Sequence, residues 1–142
     1  MSIAATATIA VTFMWVGLVV GISFIEAPLK FRAPGVTVPI GLGIGRLVFK
    51  ALNSVEAALV VVLVLALVLD PPALVTLVPL GLAAAALTAQ LVFVRPRLTR
   101  RTNAVLAGDD APRSHAHHAY IALETAKLVA LLIGGVAALA AA

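Results

Sequence analysis

Long apolar runs, separated by short polar or Pro/Gly-rich intervals, set the plan of this chain. Four runs, at about 3–25, 45–69, 73–94 and 117–141, each reach the roughly 20 residues that a helix needs to cross a bilayer. Stretches 60–69 and 82–87 have no polar face at all, unlike the amphipathic helices of a soluble bundle. The pattern predicts an all-α, polytopic membrane four-helix bundle, with residues 1–142 as a single transmembrane domain. Intervals 26–44 and 95–116 are the predicted connections on one side, and Asp70-Pro71-Pro72 turns the chain on the other.

The polar positions that interrupt these runs are few and costly. Lys50, Asn53 and Glu56 fall inside the second run, Gln90 near the end of the third, and Tyr120, Glu124 and Lys127 inside the fourth. Ionisable residues within a span mark functional sites by default and require partners. Glu56 lies ten residues after Arg46 and Lys127 ten after His117. Each is therefore on the order of 15 Å into the membrane at 1.5 Å per residue. Phe49, Asn53 and Glu56 share one helical face, as do His117, Tyr120, Glu124 and Lys127. The expectation is an inward polar layer in which Glu56 pairs with Lys127 and Glu124 approaches Lys50 or Asn53. Gln90 and Tyr120 supply its hydrogen bonds. On that basis, exchanging the charges as Glu56→Lys with Lys127→Glu is expected to restore folding lost in each single variant. The bland alternative is that these groups only hold the bundle in register, at about 1 kcal/mol per interaction.

The segments 49–56 and 120–127 align without a gap, Phe49 on Tyr120, Asn53 on Glu124 and Glu56 on Lys127. Further back, Phe24…Pro28 and Phe93…Pro96 each precede a basic connection. Two duplicated helical hairpins in parallel orientation explain both correspondences.

Composition narrows the reading further. With 63% hydrophobic residues and a mean hydropathy of +1.16, the chain leaves no room for a globular domain. The first run has no basic stretch before it and is too long for a cleavable signal peptide. Absence of cysteine excludes disulfides, thiolate metal sites and cysteine nucleophiles. The net charge is +4, and eight of the ten basic residues cluster in the two long connections. Lys30, Arg32 and Arg46 belong to the first; Arg95, Arg97, Arg100, Arg101 and Arg113 belong to the third. That asymmetry predicts cytoplasmic long connections, with the N- and C-termini outside. It points to the lipid bilayer and its anionic lipids as partners, and away from nucleic acid.

Three local motifs carry weaker signals. Gly17 and Gly21 form a GxxxG pair, read first as internal packing, and Trp15 is read as packing in mid-span. Three prolines and four glycines between Glu26 and Gly45 argue against a regular helix there. Its apolar stretch 36–44 is expected to lie in the interface or to re-enter the membrane. These glycines do not match GxGxxG, which argues against a phosphate-binding loop. His115, His117 and His118, with Asp109 or Asp110, are weak candidates for a divalent metal. No metal or other cofactor is expected. No Ser–His–Asp arrangement or paired-carboxylate spacing stands out, so no catalytic residues are assigned and the reading is non-enzymatic.

The segment Phe24-Ile-Glu26-Ala-Pro28-Leu-Lys30-Phe31-Arg32-Ala-Pro34, with Gly45-Arg46, Asn53…Glu56 and Tyr120…Glu124…Lys127, resembles a group of small four-span bacterial membrane proteins of unknown function. The resemblance implies four spans in a bacterial plasma membrane and adds Glu26, Lys30, Arg32 and Arg46 to the positions of interest. It implies no activity. The expected function is a homo-oligomeric carrier or conductor of a small solute or protons through the intramembrane cluster. Alternatives are an accessory or assembly subunit of a larger membrane complex, or a binding module for an apolar small molecule such as a quinone or lipid.

Overall fold

A computed structural model describes residues 1–112 and 115–142. Four long helices make up the bundle: α1 (Ile3–Arg32), α2 (Val38–Leu69), α3 (Leu74–Leu106) and α4 (His115–Ala140), each long and apolar enough to cross a membrane. The protein is an all-α, multi-pass bundle. Ser2 Oγ accepts the Ala5 N–H at the start of α1 and donates to the Asp70 carboxylate. Residues of both termini and of the 70–73 turn line one shared cleft. One end of the bundle therefore holds the termini, and the other holds the basic connections.

The bundle is apolar on its outside. Val61, Leu65, Val68, Val75, Leu82 and Val136 are all exposed, whereas Thr8, Thr12, Glu56, Thr76, Gln90, Glu124 and Lys127 are buried. In hydrocarbon this order is the stable one, because lipid tails accept exposed aliphatic side chains while polar groups need partners inside. Towards the terminal end the interior is an apolar core of Val11, Trp15, Val19, Leu63, Leu80, Ala83, Leu87 and Leu131. A smaller cluster, Val94, Ala116 and Tyr120 with Phe49, Leu98 and Leu123, lies towards the basic end.

Both long connections are shorter than the sequence suggests. Helix α1 continues to Arg32 and α2 already begins at Val38, so the chain reverses between residues 33 and 37. The region expected to lie in the interface or re-enter is the first two turns of a regular helix. Thr37 caps it by accepting the Ile40 N–H, and Pro39 stands in the first turn, where no backbone N–H is needed. Gly41 and Gly45 are buried in helical conformation because their bare faces receive side chains from α1. A Cβ at Gly41 would meet Phe31 Cε1 at 2.2 Å, and one at Gly45 would meet Lys30 Nζ at 3.0 Å. The third connection likewise contracts, since α3 runs on as a polar helix to Leu106. At 1.5 Å per residue the 33 residues of α3 are about 50 Å long. Its basic turns thus extend beyond a hydrocarbon layer of roughly 30 Å. Arg113, counted with that basic connection, lies outside the described residues.

Two π-helical stretches, Val19–Glu26 in α1 and Gln90–Val94 in α3, were not legible from periodicity. Each lies just before or around the carbonyl that a following proline displaces. Pro28 and Pro96 lack an N–H, and their rings press on the carbonyls of Phe24 and Val92 four residues earlier. Widening the turn relieves that pressure and re-aims the side chains inside it. Both hairpins carry the feature at corresponding places, matching the Phe24…Pro28 and Phe93…Pro96 correspondence.

Gly17 and Gly21 do not pack inside the bundle: nothing lies within 4 Å of a Cβ built at either. Besides those at Gly41 and Gly45, close internal approaches occur at α4, where Gly134 receives Leu80 and Gly135 receives Phe13 and Thr12. A Cβ at Gly134 would stand 2.6 Å from Cδ2 of the fully buried Leu80. Gly134→Ala is therefore expected to push α3 and α4 apart at a cost of about 1–3 kcal/mol. Denaturant unfolding in detergent measures it, with Gly17→Ala, expected to be neutral, as the control.

Candidate functional site

Where the apolar core gives way to the basic end, four helices deliver one buried polar cluster. Lys127 of α4 and Glu56 of α2, both fully buried, are joined by a 2.5 Å contact from Nζ to Oε2. Trp15 of α1 donates its Nε1–H to the same Glu56 oxygen at 2.7 Å. The Lys127 ammonium also donates to Gln90 Oε1 on α3 at 3.0 Å and lies 5.9 Å from the centre of the Trp15 ring. Gln90 in turn reaches the Tyr120 backbone carbonyl at 3.5 Å, at the long limit for a hydrogen bond.

Glu124 completes the cluster one helical turn closer to the basic end. Its Oε1 stands 2.5 Å from Lys127 Nζ without accepting a directed hydrogen bond, so the contact is one of charge. Its Oε2 accepts the Ser23 hydroxyl at 3.0 Å. One ammonium thus serves two carboxylates, which are held apart by Trp15 on one side and Ser23 on the other. The expected approach of Glu124 to Lys50 or Asn53 does not occur. Lys50 is exposed and Asn53 half-buried on the wall of a neighbouring cavity, because Lys127 at i+3 on its own helix holds Glu124. Tyr120 contributes its backbone carbonyl, and its buried hydroxyl lies near Glu124 without a well-aligned hydrogen bond.

That cavity, about 1030 Å³, occupies the basic half of the bundle and has Glu124 and Ser23 in its wall. Arg95 enters it from α3. Its guanidinium carbon lies 4.9 Å from the Phe49 ring centre and 4.6 Å from that of Tyr120, the two rings meeting edge to face at 5.8 Å. Stacking of this kind suits a flat, weakly hydrated cation. Lys30 Nζ approaches the same Phe49 ring at 5.7 Å and pairs with Glu26 at 3.6 Å. Arg46 donates to Asn103 Oδ1 at 3.1 Å, bracing α2 against the end of α3. Arg32 is exposed.

Trp15, Ser23 and Arg95 belong to the site but were not singled out for it. Trp15 had one available signal: a lone tryptophan in mid-span carries an N–H that must find an acceptor. Ser23 and Gln90 are aimed by the π-helical turns, which sequence spacing does not reveal. His117 lines the cavity, and its ring lies 5.7 Å from that of His118. Among the described residues no group of three or more His, Cys, Asp or Glu side chains is placed to hold a metal ion. No protein-family model matches the chain, and no match is found among curated proteins or solved structures.

Proposed function

We propose that this multi-pass protein carries a small solute or protons across a bacterial plasma membrane, as a homo-oligomer, through the cluster around Lys127. The observation that carries the reading is the double position of Glu124. The same side chain forms part of the cavity wall and touches the ammonium that holds Glu56. A group entering the cavity therefore meets a carboxylate linked in two contacts to the middle of the bundle. Two carboxylates around one ammonium leave one negative charge, which a proton or a cationic group can balance. Beyond Glu56, the packed apolar core closes the path to the terminal end. This geometry is what a carrier open on one side requires. The basic bias supports a cytoplasmic open side with the termini outside. Gly17 and Gly21, which face away from the bundle, offer a surface for the contact between copies.

A second reading, a binding module for a lipid or quinone, is favoured by the apolar part of the cavity wall. Flux separates the two. Proteoliposomes with a trapped pH dye and an imposed membrane potential are expected to acidify faster than empty liposomes. Glu124→Gln is expected to return the rate to that of empty liposomes while the purified variant keeps the wild-type elution volume. A well-folded Glu124→Gln protein with the wild-type rate would overturn the assignment of Glu124. Absence of flux in the wild type would leave only the binding reading.

A further inference from the structure

We infer that the cavity at the basic end binds an amphipathic anion, with a phosphate or carboxylate head on Arg95 and an apolar tail along the helices. The inference goes beyond the carrier reading and does not rest on it. It concerns the cationic wall of the cavity and not the Glu124 end, where a proton or cation is balanced. Its first support is charge. Lys30, Arg46, Lys50, Arg95 and Arg101 contribute to the wall, against a single carboxylate, Glu124, at the deep end. Several of these cations are already engaged: Lys30 with Glu26, Arg46 with Asn103, and Arg101 with the carbonyls of Ala111 and Pro112.

Arg95 is different. Its Nε and Nη2 are buried and have no hydrogen-bond partner, while the mutually perpendicular rings of Phe49 and Tyr120 form a corner beside its guanidinium. Ring contacts orient a guanidinium but do not satisfy its N–H groups. Buried donors of a charged group are costly to leave unmade. The fork of N–H groups matches the paired oxygens of a carboxylate or phosphate. The two rings hold the fork in advance, so little side-chain freedom is lost when an anion arrives.

Size and wall chemistry add the tail. About 1030 Å³ is far more than an inorganic anion fills and stands at the upper end of small-molecule sites. Phe24, Phe31, Leu42, Leu91 and Leu98 supply apolar wall between the cations and the bundle surface. A small hydrophilic anion would leave this surface against water, and a neutral lipid would leave Arg95 unsatisfied. An anion with a hydrocarbon chain satisfies both. Its source is either an anionic lipid of the surrounding bilayer or a free single-chain amphiphile, and both present the same head to Arg95.

The test is native mass spectrometry of the full-length protein in a neutral detergent, with dodecyl phosphate as probe. Dodecyl phosphate and laurate are expected to add one equivalent each, whereas dodecanol and inorganic phosphate add none. Arg95→Gln is expected to lower the bound fraction about tenfold or more, the loss of charge-assisted hydrogen bonds. Lys50→Gln, at an exposed wall position away from the packed interior, is expected to lower it less and guards against misfolding of the first variant. Arg97→Gln, exposed and off the cavity wall, is expected to bind as wild type. Equal binding of dodecanol, or undiminished binding by Arg95→Gln, would overturn the inference. Protein extracted gently from its own membrane distinguishes the sources: a retained two-chain phospholipid mass points to the bilayer, and a vacant chain that takes up the probe points to a free amphiphile. Binding without flux would retain this inference and remove the carrier reading; flux without binding would do the reverse.

Discussion

Lys127→Met is expected to cost about 3–5 kcal/mol of stability, because it leaves Glu56 and Glu124 buried without a counter-charge. The penalty comes mainly from the stranded carboxylates, since methionine fills much the same volume as the lysine stem. Loss of Gln90's partner adds an unsatisfied buried carbonyl oxygen. Removing the stranded charges is therefore expected to recover most of the loss. The triple variant Lys127→Met, Glu56→Gln, Glu124→Gln should unfold in detergent at a denaturant concentration near that of the wild type. Glu56→Gln with Lys127→Met alone should recover only part, because Glu124 stays charged. The simple exchange of Glu56→Lys with Lys127→Glu, which spacing alone suggests as a rescue, is expected to fail. Its second half sets Glu124 beside another carboxylate, and its first half replaces the acceptor of the Trp15 N–H with an ammonium, which can only donate. Rescue by that exchange would show that Glu124 and Trp15 are weak partners of the pair.

Why the pair was legible and its surroundings were not follows from the kind of information each needs. Apolar run length alone dictates four spanning helices, and an equal count of residues from the basic end puts Glu56 and Lys127 at one depth. Side-chain direction on a regular helix then brings them face to face. Three things broke that arithmetic. Pro28 and Pro96 open π-helical turns that rotate Ser23 and Gln90 inward, which a fixed 3.6-residue period does not anticipate. Pro39, Gly41 and Gly45 read as helix breakers, yet a proline in the first turn is harmless, and the glycines are retained where Phe31 and Lys30 press on α2. Arg95 was absorbed into a count of basic residues, whereas its neighbours Phe49 and Tyr120 come from two other helices and meet it only in the fold. Glu124 shows the same limit within one helix: of Lys50, Asn53 and Lys127, the nearest in sequence won.

The second large effect is expected at Trp15, the only tryptophan in the chain. It is fully buried, belongs to the apolar core and donates to Glu56. Trp15→Ala is expected to cost about 3–5 kcal/mol, most of it from the cavity left in the core. Trp15→Phe keeps most of the packing and removes the N–H. It is expected to cost about 1.5–3 kcal/mol, the range for a hydrogen bond to a charged group. A double-mutant cycle with Glu56→Gln separates the two contributions, because the two residues touch and their effects should not add. If the N–H stabilises the chain through the carboxylate, Trp15→Phe costs clearly less once Glu56 is neutral, while Trp15→Ala remains severe in both backgrounds. Equal cost of Trp15→Phe in the two backgrounds would reduce Trp15 to a packing residue. Glu56 would then be held by Lys127 alone, and the indole would play no part in setting the charge balance that the proposed carrier depends on.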